Sequence, residues 1–387
     1  MKKKVVFLIR DINYGGAQRQ LVTLVKAVHK EHFFDVTVLH FYSGGPLLKY
    51  LTDNGISTIS LEKQERWDVF GFFGRLFGHL KRIQPNVLHG YLGESNIVTM
   101  FVKPFFPSTR IMWGIRGSNT PSGRYGWLGS LLSQLERLLS SFTDLILVNS
   151  HAGKADYVNQ GYAPGKMVVI SNGIDTERFQ PDSEAGAKVR SEWGVSENTI
   201  LIGLVGRLSP MKDHPTFLRA AALISKERED LRFVCIGVGE ENYAKELYQL
   251  ADELGISEKT IWAGGRSDMP AVFNALNIAC SSSSDGEGFP NVVGEAMACG
   301  VPCVVTDVGD SAWIVGDAGI VVPPKNPEAL SAGWNSLLNL ALTDRLALGE
   351  KARKTIVEKF SVLNLVQKTE FHCSLLSNNK TEYTNYL

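Results

Sequence analysis

Between Ser281 and Asn291 the chain reads SSSSDGEGFPN and then runs into the helical pattern VVGEAMAC. Small residues let backbone approach a ligand, and a helix start offers unpaired N–H groups at a positive dipole end, the makings of an anion site. Glu287 stands just before this helix and Glu295 inside it, eight positions apart. Carboxylates facing a phosphate would repel it. These two are better suited to accept hydrogen bonds from hydroxyl groups flanking the phosphate, a sugar on one side and a ribose on the other. A solvated loop glutamate and a helix-surface glutamate are the plain alternative, since charges usually sit on solvated faces. A second constellation, GRLSPMKD from Gly206, follows a strand-like run and precedes a helix-like one. Arg207 and Lys212 would project from the carboxyl end of that strand, where open α/β sheets bind ligands. Two cations there can hold a diphosphate, Arg by its fork and Lys as a point charge; a basic surface loop is the simpler reading.

Three glycine turns add to these groups. Gly15 and Gly16 follow the first strand-like run, the usual place for a turn that approaches a phosphate. Gly237-Val238-Gly239 is half of a dinucleotide fingerprint, with Asn242 where the third glycine would stand. Gly264-Gly265-Arg266 ends another strand-like run and could lie against a nucleobase.

Such residues need a scaffold, and short β-branched runs alternating with helical patterns predict βα units in parallel sheets. The first half offers strands at 4–9, 35–40, 57–60, 87–89, 111–115, 145–149 and 167–170. The second offers 200–205, 232–237, 259–263, 278–280, 301–306 and 319–321. Helices are expected at 17–29, 215–226 and 243–254, with helical pattern from Asn335 to about Leu376. Periodicity lapses near 172–175 and 180–187, where the seam between two domains should fall. A chain of 387 residues is too long for one ordinary core. The last ten residues are polar and expected to fray.

Composition removes several classes. Hydrophobic residues make up 44% and charged residues 21%, which suits a globular protein. Lys plus Arg and Asp plus Glu are 40 each, so no overall field recruits nucleic acid, and no nucleic-acid partner is expected. Cys235, Cys280, Cys299, Cys303 and Cys373 read as buried thiols of a reducing cytosol, because no second pair or nearby His completes a zinc site. Lys2, Lys3 and Lys4 precede an apolar run of only five residues, too short for a signal peptide. No stretch reaches the roughly 18 apolar residues of a spanning helix. A cytoplasmic protein is expected. The aromatic stretch 67–83 (WDVFGFFGRLFGHLKRI), ending near His79, Lys81 and Arg82, could rest on the inner face of a membrane or pack in the core.

Taken together these motifs resemble the retaining glycosyltransferases of the GT-B fold, family 4, over nearly the whole chain. The most specific mark is the E-x7-E frame EGFPNVVGEAMACGVP holding Glu287 and Glu295; GRLSPMKD, YGGAQRQ from Tyr14 and SNGIDTERF from Ser171 support it. The resemblance implies two Rossmann-like, doubly wound domains facing across a cleft. Residues 1–177 would form the acceptor domain and 178–359 the nucleotide-sugar donor domain. Residues 360–387 would supply a helix crossing back to the first domain and a polar tail. It further implies that Arg207 and Lys212 clamp the donor diphosphate, with Gly16 closing on it. Glu287 would contact the donor sugar and Glu295 the ribose. Backbone at Gly288, Phe289, Pro290 and Asn291 would serve the phosphates or sugar, and Arg266 the base region. Many members carry a histidine after the 111–115 strand; here Arg116 takes that place and becomes a catalytic candidate, with His89 as a second thought.

The activity so implied is transfer of a sugar, with retained anomeric configuration, from a UDP- or GDP-sugar to a glycan or polyprenyl-linked acceptor in bacterial surface polysaccharide synthesis. No cofactor is expected. No D-x-D pair occurs in the sequence to carry a donor-bound metal, so protein cations would replace it. An epimerase or glycan phosphorylase on a similar fold, an NAD-dependent oxidoreductase using the partial GxG turn, and a non-catalytic nucleotide-sugar-binding module remain as rivals.

Overall fold

The apolar runs show little polar alternation, the mark of strands covered on both faces, and each becomes a strand of a parallel sheet. The computed structural model describes residues 2–65, 67–116 and 126–378. In the first half β1 (Lys3–Ile9), β2 (Phe34–His40), β3 (Ser57–Ser60), β4 (Val87–Tyr91), β5 (Arg110–Ile115), β6 (Leu145–Val148) and β7 (Met167–Val169) pair in the order β3-β2-β1-β4-β5-β6-β7. In the second, β8 (Ile200–Val205), β9 (Leu231–Ile236), β10 (Thr260–Gly264), β11 (Ile278–Ser281), β12 (Cys303–Thr306) and β13 (Gly319–Val322) pair in the order β10-β9-β8-β11-β12-β13. Both are doubly wound, and strand order reverses beside β1 and β4 in one sheet and beside β8 and β11 in the other. Ligands of open α/β sheets bind at the carboxyl ends of the strands at such switch points.

Side chains alternate across each sheet with the two-residue period of a strand. Val5, Phe7 and Ile9 of β1 join a core with the helices Gly16–Lys30 and Val362–Asn378, while Val6 and Leu8 meet Phe72, Leu76 and Leu80 of the helix Val69–Ile83. In the second sheet Leu201 lies with Val293 and Met297 of the helix Asn291–Ala298. Ile202 and Leu204 lie on the other face with Phe217, Ala221 and Trp334.

The described residues through Gly173, with those from Val362, form one unit, and Ile174–Ser361 form the other. Ile174 is tied into the second by a parallel bridge to Ser361 and an N–H donated to the Phe360 carbonyl at 2.8 Å. The divisions therefore fall at 173/174 and 361/362, beside the expected 177/178 and 359/360.

All thirteen expected strands are present with ends within two residues. β12 starts at Cys303 rather than 301 because Pro302 has no N–H to give a ladder. β4 runs on through Gly90, where the sequence suggests a stop. The stretch 180–187, expected as linker, contains the start of the helix Ser183–Glu192, whose Asp182 accepts from the Ala185 N–H at 2.9 Å. Only Gly186 and Val189 of that helix are buried, too few for a visible apolar stripe. Residues 117–119 of the Arg116 motif and the tail 379–387 lie outside the described residues.

Candidate functional site

The second sheet's switch point brings the two sequence constellations together. After β8 the chain makes a tight turn over Pro210–Lys212 and reaches Asp213, which adopts a left-handed conformation (φ 47°, ψ 53°). Its carboxylate caps the helix His214–Ile224, accepting from the Thr216 N–H at 3.2 Å and from the Thr216 hydroxyl at 2.7 Å. This cap fixes the end of the loop and aims Lys212 across to the loop after β11. There Lys212 Nζ forms an ion pair with Glu287 Oε1, both side chains being largely buried. The Ser283 hydroxyl donates to the same carboxylate oxygen at 2.7 Å.

The two loops are also joined through backbone. Ser282 Oγ donates to the carbonyls of Lys212 (2.8 Å) and Asp213 (3.1 Å), and the Ser284 N–H donates to the Met211 carbonyl at 2.9 Å. Gly286 has φ 72°, a left-handed conformation that favours glycine, and a Cβ there would stand 2.6 Å from Met211 Sδ. On the far side the Thr306 hydroxyl donates to the Ser283 carbonyl (2.7 Å), and the Asp310 N–H to that of Gly288 (2.9 Å). The Glu287 loop is thereby braced from both neighbouring loops before any ligand arrives.

Gly288, Phe289 and Pro290 lead into the helix Asn291–Ala298, and Pro290 at the cap position offers no side-chain oxygen to the first-turn amides. The Phe289 ring turns away into the core against Phe360, so only its backbone faces the loop. Glu295 lies in the second turn, partly buried, with its charge felt at Cys299. Arg207 is exposed and makes no ion pair among the described residues. Cation, carboxylate and helix amides are what a diphosphate joined to a polyol needs: charge for the phosphates, acceptors for the hydroxyls.

Arg266 is held by carboxylates of its own. Its guanidinium pairs with Glu192 and Asp268 and lies 5.8 Å from the centre of the Trp193 ring, and those bonds hold its proton more firmly still. The Gly237-Val238-Gly239 turn has a packing explanation. A Cβ at Gly237 would come within 1.9 Å of the Gly206 carbonyl oxygen, and one at Gly239 within 2.1 Å of that of Leu208. The glycines let the β9 loop close on the Lys212 loop, which removes the one motif that suggested a dinucleotide.

In the first unit Gly16 opens the helix Gly16–Lys30 after the extended Gly15. Arg116 follows β5. Its Cζ lies 4.9 Å from the centre of the Tyr91 ring, and its Nη1 donates to Asn172 Oδ1 at 3.2 Å. His89 is no substitute catalyst: it is fully buried between Phe7 and Tyr91, and burial, aided by the Arg116 charge, pushes it down to about 3. Burial raises the Tyr91 phenol, against the opposing pull of Arg116. Ser282, Ser283 and the Asp213 cap escape the sequence reading, although the SSSSD run and the LysAsp pair held the signal. Nothing in the sequence marks Tyr91.

Two doubly wound parallel sheets of Rossmann-like type define a GT-B architecture. Residues 14–178 match the family model described as Glycosyltransferase Family 4, and residues 187–355 the one described as Glycosyl transferases group 1. The N-acetylgalactosamine-N,N'-diacetylbacillosaminyl-diphospho-undecaprenol 4-alpha-N-acetylgalactosaminyltransferase of Campylobacter jejuni is 31% identical over 350 residues, covering 87% of this chain and 90% of that one. The D-inositol 3-phosphate glycosyltransferase of Corynebacterium urealyticum is 29% identical over 269 residues, 63% of this chain. That match spans 62% of the relative, less than two thirds of its length. Among solved structures, Anabaena HepE in complex with UDP superposes with a TM-score of 0.85 at 20% identity, covering 96% of this chain and 100% of that one. This chain belongs to glycosyltransferase family 4, the glycosyl transferases group 1.

Among the described residues no helix is long and apolar enough to cross a membrane.

Proposed function

We propose that this chain is a retaining, metal-independent glycosyltransferase of the cytoplasm. It moves a sugar from a UDP- or GDP-sugar to a glycan or polyprenyl-diphosphate-linked acceptor during synthesis of a bacterial surface polysaccharide such as lipopolysaccharide or capsule. The observation that carries this reading is the Lys212–Glu287 pair, which joins the loop after β8 to the loop that feeds the helix Asn291–Ala298. The donor diphosphate takes Lys212 from Glu287, joined by Arg207 and the first-turn amides. Glu287, released, accepts from the sugar hydroxyls, and Glu295 from the ribose. As the bond from the anomeric carbon to the β-phosphate oxygen breaks, charge grows on that oxygen, where preorganised cations and amides act most strongly. The acceptor oxygen bonds to the same carbon, and its proton passes to the departing phosphate. The lipid-linked acceptor class is supported by the name of the Campylobacter relative, which specifies a diphospho-undecaprenol.

Contact with the inner face of a membrane belongs to the same reading. The helix Val69–Ile83 buries Phe72, Leu76 and Leu80. Beside that face Trp67 and Phe70 stand 82% and 94% exposed, with Phe101 and Phe105 also exposed and Lys81 and Arg82 in the last turn. Aromatics beside cations suit the headgroup region. Flotation with anionic liposomes should carry the protein upward; protein left wholly in the soluble fraction sinks the membrane part.

Incubation with a panel of UDP- and GDP-sugars and a prenyl-diphosphate-linked acceptor should yield a lengthened glycan whose anomeric configuration, read by NMR, matches the donor. EDTA should change the rate by no more than about twofold, because Lys212 and Arg207 carry the charge that a metal otherwise would. A complete loss restored by Mg²⁺ or Mn²⁺ would overturn the metal-independent assignment.

A further inference from the structure

Outside the Lys212–Glu287 group, unsatisfied polar atoms concentrate at the carboxyl edge of the first sheet. Tyr91 ends β4, Arg116 follows β5 and Asn149 follows β6, whose N–H donates to the Ile115 carbonyl at 3.2 Å and so sits beside Arg116. One corner of the Arg116 guanidinium is used, through Nη1 to Asn172 Oδ1, and one face lies over the Tyr91 ring. The other edge, Nε and Nη2, has no hydrogen-bond partner among the described residues although it is shielded from solvent. The Tyr91 hydroxyl and Asn149 Oδ1, on side chains at least nine-tenths buried, are equally without hydrogen-bond partners among the described residues. Arg116 has no ion pair with a carboxylate among the described residues. A shielded guanidinium with a single hydrogen bond is less well solvated than in water, a state that an anion relieves.

The free atoms describe that anion. Nε and Nη2 form the arginine edge that grips two oxygens of one group, and the phenol offers a third donor. Three donors on neighbouring side chains suit the oxygens of a phosphoryl group better than the two of a carboxylate. The Asn149 carbonyl oxygen adds an acceptor for a neighbouring hydroxyl. We propose that Arg116, Tyr91 and Asn149 form a binding subsite for the phosphoryl group of a sugar phosphate or glycosyl diphosphate, the anionic part of the acceptor. Only the word acceptor rests on the transferase reading; the anion site stands on the geometry of this cluster. Arg116 then binds substrate rather than serving in place of a catalytic histidine.

Titration calorimetry with inorganic pyrophosphate tests this on the full chain, using wild type, Arg116→Met, Arg116→Lys, Tyr91→Phe and Lys212→Ala. Wild type should bind at two sites. Lys212→Ala should abolish one, and Arg116→Met should weaken the other by about tenfold or more, the worth of a bidentate charged contact. Arg116→Lys should recover only part of the loss, since an ammonium lacks the fork. If Arg116→Met does not fold, Tyr91→Phe, which removes one hydroxyl, should still weaken that site by a few fold. Farnesyl diphosphate should compete at the Arg116 site and UDP at the Lys212 site. Pyrophosphate binding abolished by Lys212→Ala alone and untouched by the Arg116 and Tyr91 variants overturns the subsite while leaving the donor reading intact. A site lost only in the Arg116 variants, with Lys212→Ala silent, does the reverse. Competition at Arg116 by UDP and not by farnesyl diphosphate overturns the acceptor assignment.

Discussion

At the carboxyl edge of the second sheet, Lys212 is met by Glu287, which is held in turn by Ser283. At the same edge of the first sheet, Arg116 is met by a ring and one amide oxygen, with its remaining edge unpaired among the described residues. The two units share one topology, a switch point flanked by the first strand of the unit and a later one, yet they hold a buried cation in opposite ways. Lysine is a point charge on a flexible stem and can rest on an internal carboxylate until a ligand draws it off. Arginine is a planar fork, fixed here by stacking, and keeps its geometry while it waits. An internally neutralised cation tolerates an empty site, whereas an unneutralised one is stabilised by any anion that reaches it.

The comparison breaks most easily at Lys212. Lys212→Ala should lower turnover at saturating donor by on the order of 10² or more, as expected when a partner of developing charge is lost. Glu287→Gln should also depress kcat strongly, because the sugar it faces changes geometry as the bond breaks. Since the two residues are one pair, the double variant should lose clearly less than the product of the single losses. Additive losses in that cycle would show that the pair does not act as a unit.

A smaller effect compares the two buried histidines, His89 under Tyr91 and His214 behind Lys212. Burial lowers them to about 3 and about 4, and none of their ring nitrogens has a hydrogen-bond partner among the described residues. The unfolded chain protonates both near pH 6.5, while the folded chain resists until about pH 4 or below. The unfolded state therefore binds more protons in that window. Stability should be unaffected by either group above pH 6.5, fall as pH drops from there towards 4, and level off below the folded values. For His214 the loss is on the order of 3 kcal/mol. Denaturant unfolding at stepped pH should show a flatter acid limb in His214→Gln; an unchanged limb contradicts the buried neutral ring.

The smallest effect belongs to Glu295. Its proposed partner, the ribose, does not change during reaction, so Glu295→Gln should raise the donor KM by roughly 1–3 kcal/mol with kcat nearly kept. Steady-state kinetics with varied donor decides between the two glutamates. A Glu295 variant that loses turnover at saturating donor, beside a Glu287 variant that merely binds more weakly, reverses their roles.

Much of this molecule is legible without coordinates. Strands buried on both faces must be continuous apolar runs, so their number and order of appearance can be read directly, and only ends such as Pro302 and Gly90 mislead. The candidate site residues of the second unit are legible because they are local: Arg207 and Lys212 lie on one loop, and Glu287 through Glu295 on one loop and helix. What the sequence cannot supply is which local pieces meet. The Lys212–Glu287 pair spans 75 positions and exists because β8 and β11 are neighbours at the switch point. Arg266 looks as available as Lys212 in the sequence, yet the fold spends it on Glu192, 74 positions away. Gly237 and Gly239 look like a ligand turn and are packing spacers. Tyr91 carries no sequence signal at all, since a phenol becomes a ligand candidate only when burial strips its hydroxyl of water and a guanidinium stacks on its ring. Residue types and spacing determined the strands, the loops and the chemistry each loop could offer. Tertiary structure alone decided which charges are neutralised and which are left waiting, because burial and the pairing of distant groups are properties of the fold.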